Sequence, residues 1–388
     1  MPAISDGSGT GLCPHFDAYR CRSCDWLEQQ YENQLARKQY LAQQTLSSVS
    51  ETAWQQPIRS QPFNFRNKAK LAALGTARKL IFGLPANLAQ QLGQHDLSDC
   101  RLYVAAIAEA LPIIRDWLNQ LGIAPYALGR RSGELKYVLL SAGAENCLML
   151  RLVLANMDWQ ARITAALPAL MKDLPQLRVL SINVQPEHKA IVEGSLEIVL
   201  TDADALEVAV NDISLRLMPQ SFFQTNTEIA AQLYQRAREW LAPLQQGLIW
   251  DLYCGVGGFG LHLAGLTQKL IGVEINSAAV ASAVQAASRA GFNNAQFITA
   301  DALEFARSQS CWPNLVLLNP PRRGVGPELC EMIEASDTQF ALYSSCNPTS
   351  LARDLAKLPS FAAQRAQLFD MFPNTEHAEV LVLLKRSH

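Results

Sequence analysis

Cys346 stands where an apolar run, Phe340–Ser345, gives way to Asn347-Pro348 and then to a helical pattern, Ser350–Leu358. A short apolar run reads as a buried strand. Asn followed by Pro reads as a helix start, because Asn caps the free first-turn amides and Pro has none to satisfy. A cysteine at such a junction lies at the carboxyl end of a strand, where open α/β sheets place their chemistry. The helix N-terminus favours the thiolate, which makes Cys346 the candidate nucleophile. Taken alone, a cysteine at a strand end is more often a packing residue. A second run, Leu315–Asn319, ends in Asn319-Pro-Pro-Arg-Arg323 and should lie near Cys346 if both strands share a sheet.

The segment Asp251-Leu-Tyr-Cys-Gly-Val-Gly-Gly-Phe-Gly260 ends one strand pattern and opens a helical one, and Glu274 ends the next strand. Gly255, Gly257 and Gly260 satisfy G-x-G-x-x-G. Such glycines let the backbone approach a ligand, and the carboxylate can take both hydroxyls of a ribose. The spacing fits a nicotinamide nucleotide as well as S-adenosylmethionine. Asp251 tilts the reading toward the second: a pyrophosphate needs positive potential there, whereas a cationic methionine moiety tolerates a carboxylate. Tyr253 is placed to pack on the cofactor.

Cys13, Cys21 and Cys24 have the pattern C-x7-C-x2-C, and Cys100 is the best placed fourth thiol. Four thiolates suit zinc or an iron–sulfur cluster. Zinc modules usually show two C-x2-C pairs, and only one is present. Cys147, Cys254, Cys311 and Cys330 lack partners. From Thr52 to His95 there is no Asp or Glu, while Arg59, Arg66, Lys68, Lys70, Arg78 and Lys79 fall there with Phe63 and Phe65 interleaved. Cations mixed with aromatics suit phosphate neutralisation and base stacking. A solvated face without acids is an equally good reading.

The elements that must position these groups change character along the chain. At 388 residues, 49% hydrophobic and 18% charged, two or three packed domains are expected, with disorder only at Met1–Thr10. The net charge of −2 argues against a uniformly basic nucleic-acid binder. No basic-then-apolar leader is read, and the most apolar stretch, Cys147–Ala155, is short and carries Arg151. A cytoplasmic monomer with no membrane partner is the expectation, its nine cysteines reduced. Glu28–Gln44 reads as a polar helix. Helices Tyr103–Leu121 and Trp159–Leu174 alternate irregularly with strands Lys136–Ser141, Cys147–Leu154, Arg178–Val184 and Leu196–Leu200. That pattern predicts an α+β domain over an antiparallel sheet. Thr225 and Glu228 have capping-box spacing. Beyond them strands (Leu248–Tyr253, Lys269–Glu274, Gln296–Thr299, Leu315–Asn319, Phe340–Ser345) alternate with helices, predicting a doubly wound, Rossmann-like α/β domain. Arg365–Met371 and Glu379–Lys385 are expected as an antiparallel edge pair. The domain expectation is 1–50 for a cysteine-rich module and helix, 51–217 for an RNA-binding α+β domain, and 218–388 for the α/β domain.

The C-terminal half resembles the RNA 5-methyluridine methyltransferase family through Phe222-Phe-Gln-Thr-Asn226, Asp251–Gly257, Gly272-Val-Glu274, Asn319-Pro-Pro-Arg322, Ser345-Cys-Asn-Pro348 and His377-Ala-Glu-Val380. The N-terminal half resembles it more loosely, through its cysteines and Arg66-Asn-Lys68. The resemblance implies that Gln224, Tyr253, Glu274 and Asn319 contact S-adenosylmethionine. It implies that Cys346 attacks carbon 6 of uracil and that Glu379 removes the carbon 5 proton. Many members carry Asp where this chain has Asn319, and Asn occurs in the branch acting on uracil 747 of 23S ribosomal RNA. The ribosomal branches carry a [4Fe–4S] cluster on cysteines spaced as Cys13, Cys21, Cys24 and Cys100. The other ribosomal branch has a small β-barrel before them, for which the segment preceding Cys13 is too short, so the shorter ribosomal branch is expected. Arg59, Arg66, Lys68, Lys70 and Arg322 are the candidate RNA contacts. Asn-Pro-Pro also occurs in adenine amino-methylating enzymes, but these follow it with an aromatic residue where this chain has Arg322. A cytosine-5 methyltransferase would use the same thiolate addition, normally in a Pro-Cys or Thr-Cys context. An RNA-binding iron–sulfur sensor is the non-enzymatic alternative.

Overall fold

The computed structural model describes residues 11–85, 88, 91–189, 192–244 and 246–387. The segment Met1–Thr10, expected to be disordered, lies outside them. Contacts group the chain into two units rather than along the three expected segments. The first joins the described residues up to Glu28 to Pro62–Leu206, and the second joins Gln29–Gln61 to the chain from Glu207 onward. The first two helices, α1 (Pro14–Asp17) and α2 (Tyr31–Thr45), therefore belong to different units.

In the first unit the strands are β1 (Lys68–Thr76), β2 (Lys79–Gly83), β3 (Leu135–Ala142), β4 (Leu148–Leu154), β5 (Leu177–Val184) and β6 (Leu196–Val199). They form one sheet in the order β2-β1-β3-β4-β5-β6. The expected antiparallel sheet is mixed, because β4 and β5 pair in parallel. The helix between them, α4 (Gln160–Asp173), carries the chain back to the starting edge, as a parallel neighbour requires. Alternate residues such as Ala69, Leu71 and Ala73 meet α3 (Ala105–Leu121) and α4 in the core. Three of the segment's basic residues, Lys68, Lys70 and Lys79, thus lie on strands, which charge alone did not reveal.

The second unit begins, after α2, with the hairpin β7 (Leu206–Val210) and β8 (Ile213–Leu217). There follow α5 (Thr227–Leu241), β9 (Gln246–Leu252), α6 (Gly258–Leu263), β10 (Thr267–Glu274), α7 (Ser277–Arg289), β11 (Ala295–Thr299), α8 (Ala302–Ser308), β12 (Leu315–Leu318), α9 (Pro327–Ala335), β13 (Phe340–Ser345), α10 (Pro348–Leu355), β14 (Phe361–Phe369) and β15 (Glu379–Arg386). The sheet order is β11-β10-β9-β12-β13-β15-β14, parallel up to β13 and antiparallel at the β15–β14 edge. The expected doubly wound architecture and edge pair are both present. The cap of α5 is Asn226, not Thr225: its side chain accepts from the amide of Ile229 at 3.2 Å and donates to Ser60 Oγ at 2.9 Å.

Helix α2 is polar by sequence yet one face of it is buried. Ala42, Leu46 and Val49 join the core of the sheet, while Gln34 and Lys38 face the segment after β14. Lys38 donates to Asp370 Oδ1 at 2.6 Å and to the Phe372 carbonyl at 2.9 Å, both side chains of the ion pair being wholly buried. Tyr31 donates to the other oxygen of Asp370, and Gln34 exchanges two hydrogen bonds with Asn374. Removing one partner of a fully buried pair strands the other charge. Lys38→Met should lower unfolding stability in urea by about 3–5 kcal/mol, and adding Asp370→Leu should recover most of the loss. Equal stability of Lys38→Met and the unsubstituted chain would show that the pair is not holding this segment.

Candidate active site at the carboxyl edge of the seven-stranded sheet

The chain leaves β9 for β10 and β11 on one side, then returns to build β12 and β13 on the other. The reversal lies between β9 and β12, and open sheets bind ligands outside the carboxyl ends of strands at such a point. Asp251–Gly257 spans the end of β9 and the turn after it, Glu274 ends β10, Asn319 follows β12 and Cys346 follows β13. Because β15 runs antiparallel to β13, its first residue, Glu379, reaches the same edge. One sheet edge therefore gathers the sequence-predicted nucleophile, base and cofactor residues.

The pairing of β13 with β15 sets the central geometry. The register ends with Ser344 opposite Leu381 and Ser345 opposite Val380, so Cys346 and Glu379 are the next residues of the two chain segments at the same edge. Ser344, opposite Leu381, shares a face with Glu379, two positions before Leu381 on β15. Ser344 Oγ donates a short hydrogen bond to Glu379 Oε1. Glu379 is 2% exposed, and burial pushes its carboxyl up to about 7 against the opposing pull of Ser344. Burial and the nearby Glu379 carboxylate raise the Cys346 thiol, while the Arg322 guanidinium, hydrogen-bonded to it, lowers it. The half-buried thiol thus sits between a negative and a positive neighbour.

The loop carrying Asn319 and Arg322 is tied to the helix after Cys346. Asn347 caps α10 by accepting from Thr349 N at 3.1 Å, and its amide donates to the Arg322 carbonyl at 3.0 Å. Asp354, buried, accepts from Tyr343 Oη and from Val325 N, both at 2.7 Å. Arg353 donates to the Arg323 carbonyl. Gly324 adopts φ +85°, and a Cβ there would lie 2.4 Å from Asp354 Oδ2, so glycine is required by both conformation and space.

The glycine loop is built around Glu274. Its Oε2 accepts from Gly255 N at 3.2 Å and its Oε1 from Asn276 N at 2.9 Å. Gly255 and Gly257 adopt φ +53° and +85°, and Tyr253 is held at +70° with its amide on the Val273 carbonyl at 2.9 Å. Tyr253 is half-buried against the core. Asp251 is 1% exposed; its Oδ2 accepts from Gly260 N at 2.9 Å, while its Oδ1 has no partner among the described residues. Burial, partly opposed by the Gly260 amide and reinforced by Glu274, raises Asp251 to about 7. An orphaned buried carboxylate oxygen beneath a glycine loop fits a site that receives a cationic, hydrogen-bond-donating ligand. Gln224 is buried on the connector between β8 and α5, and Asn319 is half-buried.

The remaining candidates fall elsewhere. Cys13, Cys21, Cys24 and Cys100 line one cavity of about 180 Å³ in the first unit, with His15, Arg66 and Tyr103. Among the described residues, no three His, Cys, Asp or Glu side chains are grouped to hold a metal ion. Burial and the neighbouring thiols raise Cys24 to about 12; burial, partly opposed by the Leu102 amide, raises Cys100 to about 11. Arg66, Lys68 and Lys70 are in this unit and Arg59 in the other. Acids distant in sequence reach two of them: Glu193 pairs with Lys70 at 3.2 Å and Glu32 with Arg59 at 3.1 Å. Burial lowers Lys68 to about 8. Ser344 was not singled out by the sequence, although period-two spacing from Cys346 was a usable signal.

Residues 158–387 match the sequence model of the tRNA (Uracil-5-)-methyltransferase family. Over 376 residues, 97% of this chain and 100% of the relative, the chain is 44% identical to the 23S rRNA (uracil(747)-C(5))-methyltransferase RlmC of Serratia proteamaculans. Identity is 43% over 373 residues, 96% of this chain and 99% of the relative, to the protein of the same name from Yersinia enterocolitica. The structure is similar to that of Pyrococcus abyssi tRNA (uracil-54, C5)-methyltransferase in complex with S-adenosyl-L-homocysteine. The TM-score is 0.78 at 22% identity, covering 93% of this chain and 85% of that one, a likeness that speaks for the fold. With a doubly wound sheet that gathers the family's motifs on one edge, the chain belongs to the tRNA (uracil-5-)-methyltransferase family, S-adenosylmethionine-dependent enzymes that methylate carbon 5 of uracil in RNA.

Proposed function

We propose that this chain methylates carbon 5 of uridine 747 in 23S ribosomal RNA, in the cytoplasm, with Cys346 as nucleophile and Glu379 as base. The substrate follows the near full-length relatives. The observation that supports the mechanism is that antiparallel β13 and β15 bring Cys346 and Glu379 to one edge, where the carboxylate's charge acts on the thiol. Carbon 5 of uracil is a poor nucleophile. Addition of the Cys346 thiolate to carbon 6 forms a C–S bond and moves the π pair onto O4, which makes carbon 5 electron-rich. S-adenosylmethionine, when bound, supplies the methyl group as an electrophile. Glu379 then accepts the carbon 5 proton, and the released pair restores the 5,6 double bond and expels the thiolate. The uracil must leave its stack to meet both groups. Gln224, Tyr253, Gly255, Gly257, Glu274 and Asn319 are assigned to the cofactor, and Arg59, Arg66, Lys68, Lys70 and Arg322 to RNA. For Lys70 and Arg59 this means exchanging Glu193 and Glu32 for phosphate.

Cys13, Cys21, Cys24 and Cys100 are assigned to a [4Fe–4S] cluster. Four thiols lining one cavity supply a donor set of the kind such a cluster takes, as thiolates. Anaerobically purified protein should carry about four iron atoms per chain. Stoichiometric zinc without iron or sulfide would remove the cluster from the account.

Deletion of this chain's gene should remove 5-methyluridine at position 747 of 23S ribosomal RNA, the position its relatives are named for, and restoring the gene should return it. An unchanged modification there would refute the substrate. With RNA and cofactor, Glu379→Gln should accumulate a protein–RNA adduct that survives denaturing electrophoresis, and Cys346→Ala should form none. Turnover by Glu379→Gln at the unsubstituted rate, without trapped adduct, would exclude it as the base.

A further inference from the structure

Glu379 is a buried carboxylate with a defined task, and its surroundings contain a group that the family's motifs do not include. In the run Tyr343-Ser-Ser-Cys346 the strand alternation splits the side chains between two faces. Tyr343 donates to Asp354, and Ser345 exchanges hydrogen bonds with Asn347 at 3.1 Å, so both serve the helix that follows. Ser344 falls on the other face with Cys346. It is 1% exposed, and its hydroxyl donates to Glu379 Oε1. A buried serine hydroxyl next to an apolar core has no reason to be there unless it has a partner. The partner it has is the base.

We propose that Ser344 is a positioning residue for Glu379: its hydroxyl holds Oε1, keeps the carboxylate ionised, and leaves Oε2 as the oxygen that takes the carbon 5 proton. This rests on the reading of Glu379 as the base. A hydroxyl donated to a carboxylate favours its charged form, whereas burial disfavours it. The other charged or titratable groups around Glu379 push the same way or act at a distance. The Cys346 thiol is coupled to it, Tyr234 from α5 is raised in part by its charge, and Arg322 engages the thiol. Asp370 on the neighbouring connector is neutralised by Lys38. Ser344 is therefore the hydrogen-bond donor that offsets burial at the base.

The sign of the effect separates this role from a packing role. A base must be ionised, so adduct decay rises with pH through the Glu379 midpoint. Without the hydroxyl that midpoint moves up, and decay at neutral pH slows. Adduct formation should not slow, since a more readily protonated Glu379 no longer opposes thiolate formation at Cys346. The experiment is single-turnover quench on a transcribed 23S ribosomal RNA fragment methylated by the unsubstituted chain, across pH 6–9, for Ser344→Ala and Glu379→Gln. Cofactor binding by each variant serves as the folding control. For Ser344→Ala the midpoint of adduct decay should rise by about one unit and decay at pH 7 should slow about fivefold, with adduct formation unslowed. An unshifted decay profile in Ser344→Ala, alongside a trapped adduct in Glu379→Gln, would overturn the role of Ser344 alone. Normal decay in Glu379→Gln would overturn the base assignment, and this inference with it.

Discussion

The site depends on one pairing: β15 running antiparallel to β13, so that the first residue of one strand lies at the same edge as the residue just beyond the end of the other. A parallel neighbour would bring its last residue, not its first, to this edge. The antiparallel strand instead brings Glu379 there, close enough for its charge to act on the Cys346 thiol. The arrangement is costly in isolation, because a buried carboxylate beside a thiol disfavours ionisation of both. The protein answers with two donors of different strength, a neutral hydroxyl on Glu379 and a guanidinium on the thiol. The carboxylate midpoint left near neutrality suits a group that must take up a proton and give it away in each cycle.

Holding that pairing in register requires support on both sides. On one side, Asn347, Arg353 and Asp354 fasten the loop after β12 to the helix after Cys346, which places Arg322 against the thiol. On the other, Lys38, Tyr31 and Gln34 of α2 fix the connector between β14 and Glu379 through Asp370, the Phe372 carbonyl and Asn374. The polar character of α2 is thus explained by what it touches. Its charged and amide groups hydrogen-bond a stretch of irregular backbone that apolar residues could not satisfy.

The doubly wound domain was legible because strand runs, helix starts and the glycine loop all follow local rules, and chain order alone then puts their ends on one edge. Cys346 and the glycine loop were legible as sequence features of this kind, whereas Glu379 was singled out only by the family resemblance. The division into units was not: Gln29–Gln61 joins the C-terminal unit through contacts more than 300 residues apart in the chain, such as Lys38 with Asp370. The parallel step between β4 and β5 was missed although the helix between them was read, because helices and strands in this half alternate too irregularly to mark that helix as a crossover. The pairing of the basic segment was not legible, since Glu193 and Glu32, which meet Lys70 and Arg59, lie outside its sequence window. Ser344 escaped notice because serine is unremarkable until the strand's alternation is fixed.

Covalent addition through Cys346 is the central claim, and RNA carrying 5-fluorouridine at the target position tests it most directly. Fluorine occupies the place of the carbon 5 proton whose removal is assigned to Glu379, so addition and methylation can proceed while elimination cannot. With S-adenosylmethionine the chain should form a stable, methylated complex with this RNA in one-to-one ratio, and peptide mass spectrometry should place the nucleotide on Cys346. Absence of a stable complex, or its attachment to another of the cysteines, would contradict the account.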